Sequence, residues 1–184
     1  ERKAPHNLYA DTELVREYID SRGFLFNQDV NPIYNFGTNQ NNWSLGASRV
    51  TLKYSEKTTV IWKLDTDQYS RFIADGYAPN TDAVAHNFIT RDGYEDILQS
   101  RTVVVIQGPL YNDEATTLPS VLTVGVGPVT IFHEGKYIEG TWRRNDISDP
   151  FEFLDTNQNK IDVPPSKQWI HLLPLNGEIT ISDN

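Results

Sequence analysis

The 184-residue sequence contains no cysteine and no methionine. The absence of cysteine excludes disulfide bonds, thiolate nucleophiles and metal sites built on cysteine. Long apolar runs are also missing, because the longest, Thr102–Ile106, is far shorter than the roughly 20 residues that a membrane-spanning helix requires. The sequence therefore predicts a folded domain without a transmembrane segment in this chain.

Positive charge is scarce as well. The sequence has 16 lysine and arginine residues against 25 aspartates and glutamates, and its net charge is −9. The densest basic spots are Arg2-Lys3 and Arg143-Arg144, which are too small for a phosphate-binding patch. The composition predicts no nucleic-acid partner, and the lack of a phosphate-cradling glycine loop or of metal-ligand spacing predicts no cofactor.

The only clear helical pattern lies near the start of the sequence, in "ADTELVREYIDSRG". Asp11 or Thr12 is a suitable N-cap, Gly23 is a suitable C-cap, and the apolar residues between them share one face. The stretch that follows, residues 31–48, is rich in asparagine and glycine, which favour turns. It predicts a loop or an extended linker.

From Arg49 onward the pattern changes to the alternation that is typical of strands. The segments "RVTLKYS", "TTVIWKLD" and "YSRFIADG" are separated by short polar turns and predict a three-stranded meander. The segment "RDGYEDILQS" favours a single helical turn after Asp92-Gly93, and strand patterns resume from Arg101. The predicted fold class is α+β: β-dominated, with a mostly antiparallel sheet built from hairpins and one N-terminal helix.

Five segments together resemble the YerB-like family of bacterial lipoproteins, a family of unknown function. They are "RKAPHNLYA" with its helix, "VTLKYSEKTTVIWKLDTDQYSRFIADG", "TVVVIQ", "GKYIEGTWRRNDISDPFEFLDTNQNKIDV" and "QWIHLLP". The resemblance covers the middle and C-terminal portion of the family. It implies that residues 1–48 are a remnant of, or a linker from, an N-terminal domain, and that residues 49–184 form the β-rich C-terminal domain. It also implies an extracytoplasmic protein, anchored to the membrane as a lipoprotein in its full-length precursor.

The candidate ligand-binding residues are aromatic and polar side chains. Aromatic rings beside amides suit the binding of sugars, because the ring covers the apolar face of the sugar while the amides bond its hydroxyls. The alternative is that these aromatic residues fold back onto the sheet and cover the core. The candidates are His6, Asn7, Tyr34, Trp43, Tyr69, Arg71, Trp142 and Arg144.

The segment "KYIEGTWRRND" decides the role of Trp142. Alternation places Trp142 on the core face of a strand, unless Gly140 forms a bulge that turns the indole to solvent. We expect a structural strand, with Arg143 paired to Asp146 or Asp149. Arg144 is expected to bond a carboxylate or to lie over an aromatic ring.

The histidines and the acidic turn "DTNQNKID" offer the remaining candidates for chemistry. His133 and His171 lie in strand patterns, where exposed or hydrogen-bonded sheet positions are the expected interpretation. The acidic turn resembles the start of a calcium loop, but Lys160 stands where glycine is needed, so a solvated turn is favoured. No metal site is predicted, and a weak calcium candidate consists of Asp155, Asn157, Asn159 and Asp162.

The function predicted from these observations is a non-enzymatic binding or scaffold module of the cell envelope, with a cell-wall glycan or an envelope protein as its partner. Two alternatives stay open. One is a hydrolase acting on envelope glycans or peptides, with Asp65, Asp67 and Asp155 as candidate acid–base groups. The other is a protein-interaction module that docks through an edge strand or an aromatic loop.

Overall fold

The computed structural model describes residues 12–23, 32–40, 42–75, 83–90, 92–114 and 118–183. They belong to two compact units, one within residues 1–31 and one within residues 32–184. The Asn-rich stretch from residue 32 to 48 thus belongs to the same unit as the β-rich part.

The first unit contains helix α1, Thr12–Ser21. The helix is followed by Gly23, whose φ of 71° is the left-handed conformation that ends helices readily. The prediction of this helix is confirmed, whereas Asp11, the other candidate N-cap, lies outside the described residues. In the part of the chain that the structure describes, no helix is long and apolar enough to cross a membrane.

The second unit is built from sixteen strands in the described ranges. In chain order they are β1 Ser44–Leu45, β2 Arg49–Ser55, β3 Thr58–Asp65, β4 Gln68–Asp75, β5 Val84–Ala85, β6 Asn87–Ile89, β7 Glu95–Ile97, β8 Gln99–Ser100, β9 Thr102–Gly108, β10 Leu110–Asn112, β11 Pro119–Val121, β12 Gly125–His133, β13 Lys136–Arg144, β14 Glu152–Leu154, β15 Gln168–Pro174 and β16 Glu178–Ser182.

Two larger sheets dominate this unit. The central sheet has the order β1-β13-β12-β9-β15, with β14 paired to β13, and the meander sheet has the order β16-β2-β3-β4-β5, with β8 paired to β4. The pairing of β9 with β15 is parallel and the other pairings within these sheets are antiparallel. The predicted α+β, β-dominated class and the three-stranded meander are confirmed.

The central sheet is covered on both faces, which explains the uninterrupted apolar run of β9. Val103 and Val105 pack with the meander sheet in what we call the inter-sheet core. Val104 and Ile106 face the opposite side, in what we call the distal core. One strand therefore supplies two hydrophobic cores with alternate side chains.

The distal core is closed by segments that lie outside the long strands. Tyr34 forms an isolated bridge with Phe151, and Phe36 forms another with Val163. Tyr34 is fully buried, and its hydroxyl donates to Oε1 of Gln168 at 2.6 Å. The Asn-rich stretch is thus anchored to the sheet at several points.

One local prediction is wrong. The segment predicted as a helical turn after Asp92-Gly93 contains strands β7 and β8 instead. Its backbone groups bond neighbouring strands, since the amide of Leu98 donates to the carbonyl of His86 and the carbonyl of Leu98 accepts from the amide of Arg71. These sheet bonds satisfy the backbone groups that a helical turn would have used.

Strand β13 carries Trp142 without a bulge. Its register with β12 runs without interruption through Gly140, which lies opposite Val129. Trp142 is 1% exposed and its Nε1 donates to the carbonyl oxygen of Gln107 at 2.7 Å. The prediction that Trp142 packs into the core is confirmed.

The two arginines that follow Trp142 have local partners. Arg143 pairs with Glu152 at 2.5 Å instead of Asp146 or Asp149, because β14 lies beside β13 and places Glu152 opposite Arg143. Arg144 bonds backbone carbonyls, including that of Asp149.

Candidate functional site

Two adjoining grooves flank Trp43 on the distal-core side of the central sheet. Their volumes are about 300 and 260 Å³, and both are lined by Asn42, Ile138 and Asp155. The first groove is completed by Asn39, Trp43, Asn159, Lys160 and Ile161. The second is completed by Ser44, Tyr137, Glu139, Thr156 and Asn157. We call this pair of grooves the amide groove.

Trp43 is held in place by both local and distant contacts. Its backbone amide donates to the carbonyl of Gln40 at 3.2 Å, and β1, which begins at the next residue, pairs with β13. The indole packs against the distal core and meets the ring of His133 edge-on, with the ring centroids 6.5 Å apart. Trp43 is only partly buried, so its indole contributes apolar surface to the groove.

The opposite wall of the amide groove is the turn after β14. The Asp155 carboxylate accepts hydrogen bonds from the amides of Asn157 and Asn159 at 2.8 Å each, and from Nδ2 of Asn159 at 3.1 Å. These bonds from Asn159 and Asn157 lower the pKa of Asp155 and keep the carboxylate ionised. The predicted turn is confirmed, and Asp155 acts as its anchor.

The same bonds bear on the calcium candidate. Both oxygens of Asp155 accept hydrogen bonds from the turn itself, and Asn159 presents its amide nitrogen to Asp155. The side chain of Asp162 lies against Gly37. The described part of the chain has no group of three or more acidic, histidine or cysteine side chains placed to hold a metal ion.

The other predicted site residues do not converge on the amide groove. His6 and Asn7 lie outside the described residues. Tyr34 and Trp142 belong to the distal core and Tyr69 to the inter-sheet core, each with a hydrogen-bonded polar atom.

Arg144 and Arg71 each stack on an aromatic ring. Arg144 lies over the ring of Phe151, 4.7 Å from its centroid, as the sequence prediction allowed. Arg71 lies over Trp169, 4.9 Å from its ring centroid, on the inter-sheet side.

Arg71 is the centre of a second cluster, between the meander sheet and β15. Its guanidinium is 5.9 Å from the ring centroid of Trp62, and Nη1 contacts Nδ1 of His86. The remaining members of this arginine–aromatic cluster are Tyr54 and His171.

His171 links the cluster through both ring nitrogens. Trp62 Nε1 donates to His171 Nε2 at 2.8 Å, so Nε2 is the acceptor and the neutral ring carries its hydrogen on Nδ1. Nδ1 then donates to the Tyr54 oxygen at 2.5 Å. Burial, followed by the charge of Arg71, lowers the pKa of His171 to about 3. The predicted hydrogen-bonded sheet position of His171 is confirmed.

The proximity of Trp62 to Arg71 could have been predicted from the sequence, because both lie on one predicted hairpin. The hairpin of β3 and β4 pairs Asp65 with Gln68, and this register places Trp62 directly opposite Arg71. Trp169 and His171 reach the cluster only because β15 pairs with β9 in parallel, some sixty residues away in sequence. No local pattern gives that register, so their proximity to Arg71 could not be predicted.

The three carboxylates that the hydrolase alternative requires have different surroundings and partners. Asp67 forms an ion pair with Arg101, and Asp65 is exposed at the end of β3. Asp155 is buried and engaged by its turn, while Glu139, which lines the same groove, is exposed. Asp155 is an acceptor of hydrogen bonds here and does not hold a proton for acid catalysis.

The chain thus forms a β-rich domain whose central sheet is covered on both faces. The amide groove lies on one side of this sheet and the buried Arg71, with its aromatic neighbours, on the other. The chain belongs to the family described as the C-terminal domain of the protein of unknown function DUF3048, whose profile matches residues 50–170. No curated protein matches the chain.

Among solved structures, the chain is similar to the YerB protein from Bacillus subtilis. The TM-score is 0.69 at 18% sequence identity, and the match covers 97% of this chain and 57% of the YerB chain. This identity shows a shared fold, and the chain spans little more than half the length of that relative. The resemblance to YerB-like proteins is confirmed.

Proposed function

We propose that this chain is a non-enzymatic binding module of an extracytoplasmic cell-envelope lipoprotein, and that it binds glycan in the amide groove. The location and the lipid anchor in this proposal come from the resemblance to YerB-like lipoproteins. The observation that carries the binding role is a partly exposed indole beside three asparagines in the first groove, with a fourth asparagine in the adjoining one.

The chemistry of the groove suits a sugar. The indole of Trp43 offers a flat apolar surface for the C–H face of a sugar ring, and amides both donate and accept hydrogen bonds to hydroxyls. Asn39, Asn42, Asn157 and Asn159 line the two parts of the groove. The ionised Asp155 adds an acceptor that is already oriented by its turn.

Co-sedimentation with purified bacterial cell-wall sacculi tests this proposal. We expect the wild-type chain to pellet. Trp43→Ala and Asn42→Ala should each weaken binding, the tryptophan variant by about tenfold, which corresponds to about 1.4 kcal/mol of binding free energy. Asn42 is exposed, so its truncation checks the groove without disturbing the core that Trp43 touches.

Tyr94→Ala is the matched control, because Tyr94 is 74% exposed in the turn between β6 and β7 and lines neither part of the groove. Pelleting that survives both groove variants would reject the amide groove as the site. Release of soluble sugar during the incubation, measured in parallel, would favour the hydrolase alternative over pure binding.

A protein-interaction role is favoured by a different surface. Leu110 and Tyr111 on β10 and Leu118 and Leu122 around β11 are exposed apolar side chains on one small hairpin. Exposed apolar side chains that lie together are typical of interaction surfaces. Absence of pelleting by the wild-type chain would remove the glycan proposal and leave this surface as the better-supported one.

A further inference from the structure

Arg71 is a buried cation with an unpartnered donor. The residue is 9% exposed, and Nε is buried without a hydrogen-bond partner. Nη1, on the opposite edge of the guanidinium, contacts Nδ1 of His86. Among the ion pairs formed by the described residues, none includes Arg71.

The described residues around Arg71 do not neutralise its charge. His171 is neutral because Trp62 donates to it, and His86 accepts from Arg71 with a pKa that burial and the arginine both lower. Stacking on Trp62 and Trp169 offsets part of the desolvation cost, but a buried positive charge ordinarily has an anionic partner. A bound anion would therefore do two things at once: it would neutralise the positive charge of Arg71 and accept the hydrogen bond that Nε–H does not make.

We propose that the arginine–aromatic cluster is a binding site for a carboxylate group, which pairs side-on with the Nε edge of Arg71 while its apolar substituent packs on Trp169. This inference is independent of the glycan proposal, because the cluster lies on the inter-sheet side and the amide groove on the distal side.

A carboxylate fits this site better than a phosphate does. The guanidinium edge that contains Nε presents two parallel N–H groups, and this geometry matches the two oxygens of a carboxylate. Arg71 supplies one positive charge between two neutral histidines, which suits a monoanion. The aromatic rings around it favour a ligand with an apolar or flat part next to the acid.

Access and a second donor come from the rim of the cluster. Tyr54, His86 and Trp169 are each only partly buried, so the cluster reaches the surface. Because Nδ1 of His171 donates to the Tyr54 oxygen, the phenolic hydrogen of Tyr54 is left to donate to another acceptor. Tyr54 belongs to the same cluster as Arg71, because its oxygen bonds the His171 ring that also accepts from Trp62.

Arginine-side-chain NMR tests the proposal directly. The ¹H–¹⁵N resonance of Arg71 Nε–H, assigned by its loss in Arg71→Lys, is followed during titration with N-acetyl-alanine or glucuronate at pH 7 and constant ionic strength. We expect a saturable downfield shift with at least one of these acids and a parallel rise in melting temperature. The two arms separate a peptide carboxyl terminus from an acidic sugar as the source of the carboxylate.

The variants separate binding from structure. We expect Arg71→Lys and Arg71→Met to lose at least tenfold in affinity, and Arg71→Met to be at least as stable as the wild type without ligand, because a buried unpaired charge is removed. A merely structural arginine would give a less stable Arg71→Met. Arg143→Met, which removes an arginine paired with Glu152, should leave the titration unchanged.

Three outcomes would overturn the proposal. They are an Nε–H resonance unmoved by either acid, an equal response to chloride at the same ionic strength, and an unchanged melting-temperature response to the acids in Arg71→Met. A fourth result would also overturn it: a response to inorganic sulfate or phosphate that exceeds the response to both carboxylates would replace the carboxylate with an oxyanion of another class.

Discussion

At the scale of single residues, His171 shows how a buried hydrogen-bond network fixes a protonation state. The residue is 3% exposed, and its ring accepts a hydrogen bond from the indole N–H of Trp62, a group that can only donate. Protonation of Nε2 would remove that acceptor and place a second positive charge near Arg71. The native state therefore holds His171 neutral.

This protonation state predicts a pH dependence of stability. The ordinary pKa of histidine is 6.5, and the native pKa of His171 is about 3, so between these values the unfolded chain binds a proton that the native state excludes. The free energy of unfolding must then fall as the pH falls from 6.5, with a slope from this residue that approaches about 1.4 kcal/mol per pH unit. Urea unfolding at several pH values between 6.5 and 5 measures it.

His171→Gln isolates the contribution, because glutamine can accept from Trp62 but does not titrate. We expect the free energy of unfolding of this variant to depend on pH less steeply than that of the wild type. The difference should correspond to close to one proton bound on unfolding. A residual slope of the same sign should remain, since burial also lowers the pKa values of His86 and His133. Equal slopes in the two proteins would show that His171 is protonated in the native state.

At the scale of elements, strand β13 depends on a glycine, Gly140, for its pairing with β14. A Cβ atom at Gly140 would collide with the carbonyl oxygen of Leu154 and come within 3.0 Å of Cδ1 of Ile161. The close approach lets β14 pair with β13 and lets its residues cover the distal core. The glycine is needed for space and not for a bulge.

Gly140→Ala should therefore destabilise the protein. We expect a loss of about 2 kcal/mol, because β14 must move away from β13 and part of the distal core opens. Glu139→Ala, at an exposed neighbouring position, serves as the control and should stay within about 0.5 kcal/mol of the wild type. Chemical denaturation of both variants checks this, and a fully stable Gly140→Ala would refute the close-packing account.

At the scale of the whole β-rich unit, one strand belongs to two cores. Val103 and Val105 contribute to the inter-sheet core and Val104 and Ile106 to the distal core. Loss of β9 would expose both cores at once, so neither can unfold alone at low cost. We therefore expect the unit of residues 32–184 to unfold in one cooperative transition.

The test uses the distribution of tryptophans. Replacing Trp43 and Trp142 with phenylalanine leaves Trp62 and Trp169, which both report on the inter-sheet core. In that background, Ile106→Ala in the distal core should lower the urea midpoint seen by fluorescence and the midpoint seen by far-ultraviolet circular dichroism by the same amount. Separate midpoints would show that the two cores unfold independently.

Local sequence patterns were sufficient for part of the fold. The alternation around β2, β3 and β4 and the short polar turns between them predicted the meander, and the alternation in β13 predicted the burial of Trp142. The prediction failed after Asp92-Gly93, where β7 and β8 form because they bond neighbouring strands. Their sequence has no strong pattern of its own, so tertiary pairing decided their conformation.

The sequence by itself determined the β-rich class, the helix α1, the three-stranded meander and the family, because these depend on the order of side chains along short segments. The tertiary structure decided which chemistry-bearing residues meet. The parallel pairing of β15 with β9 brings Trp169 and His171 to Arg71, and the turn at Asp155 faces Trp43 across the amide groove. Such contacts join residues far apart in the chain, and their register depends on the packing of whole sheets, which no short segment encodes.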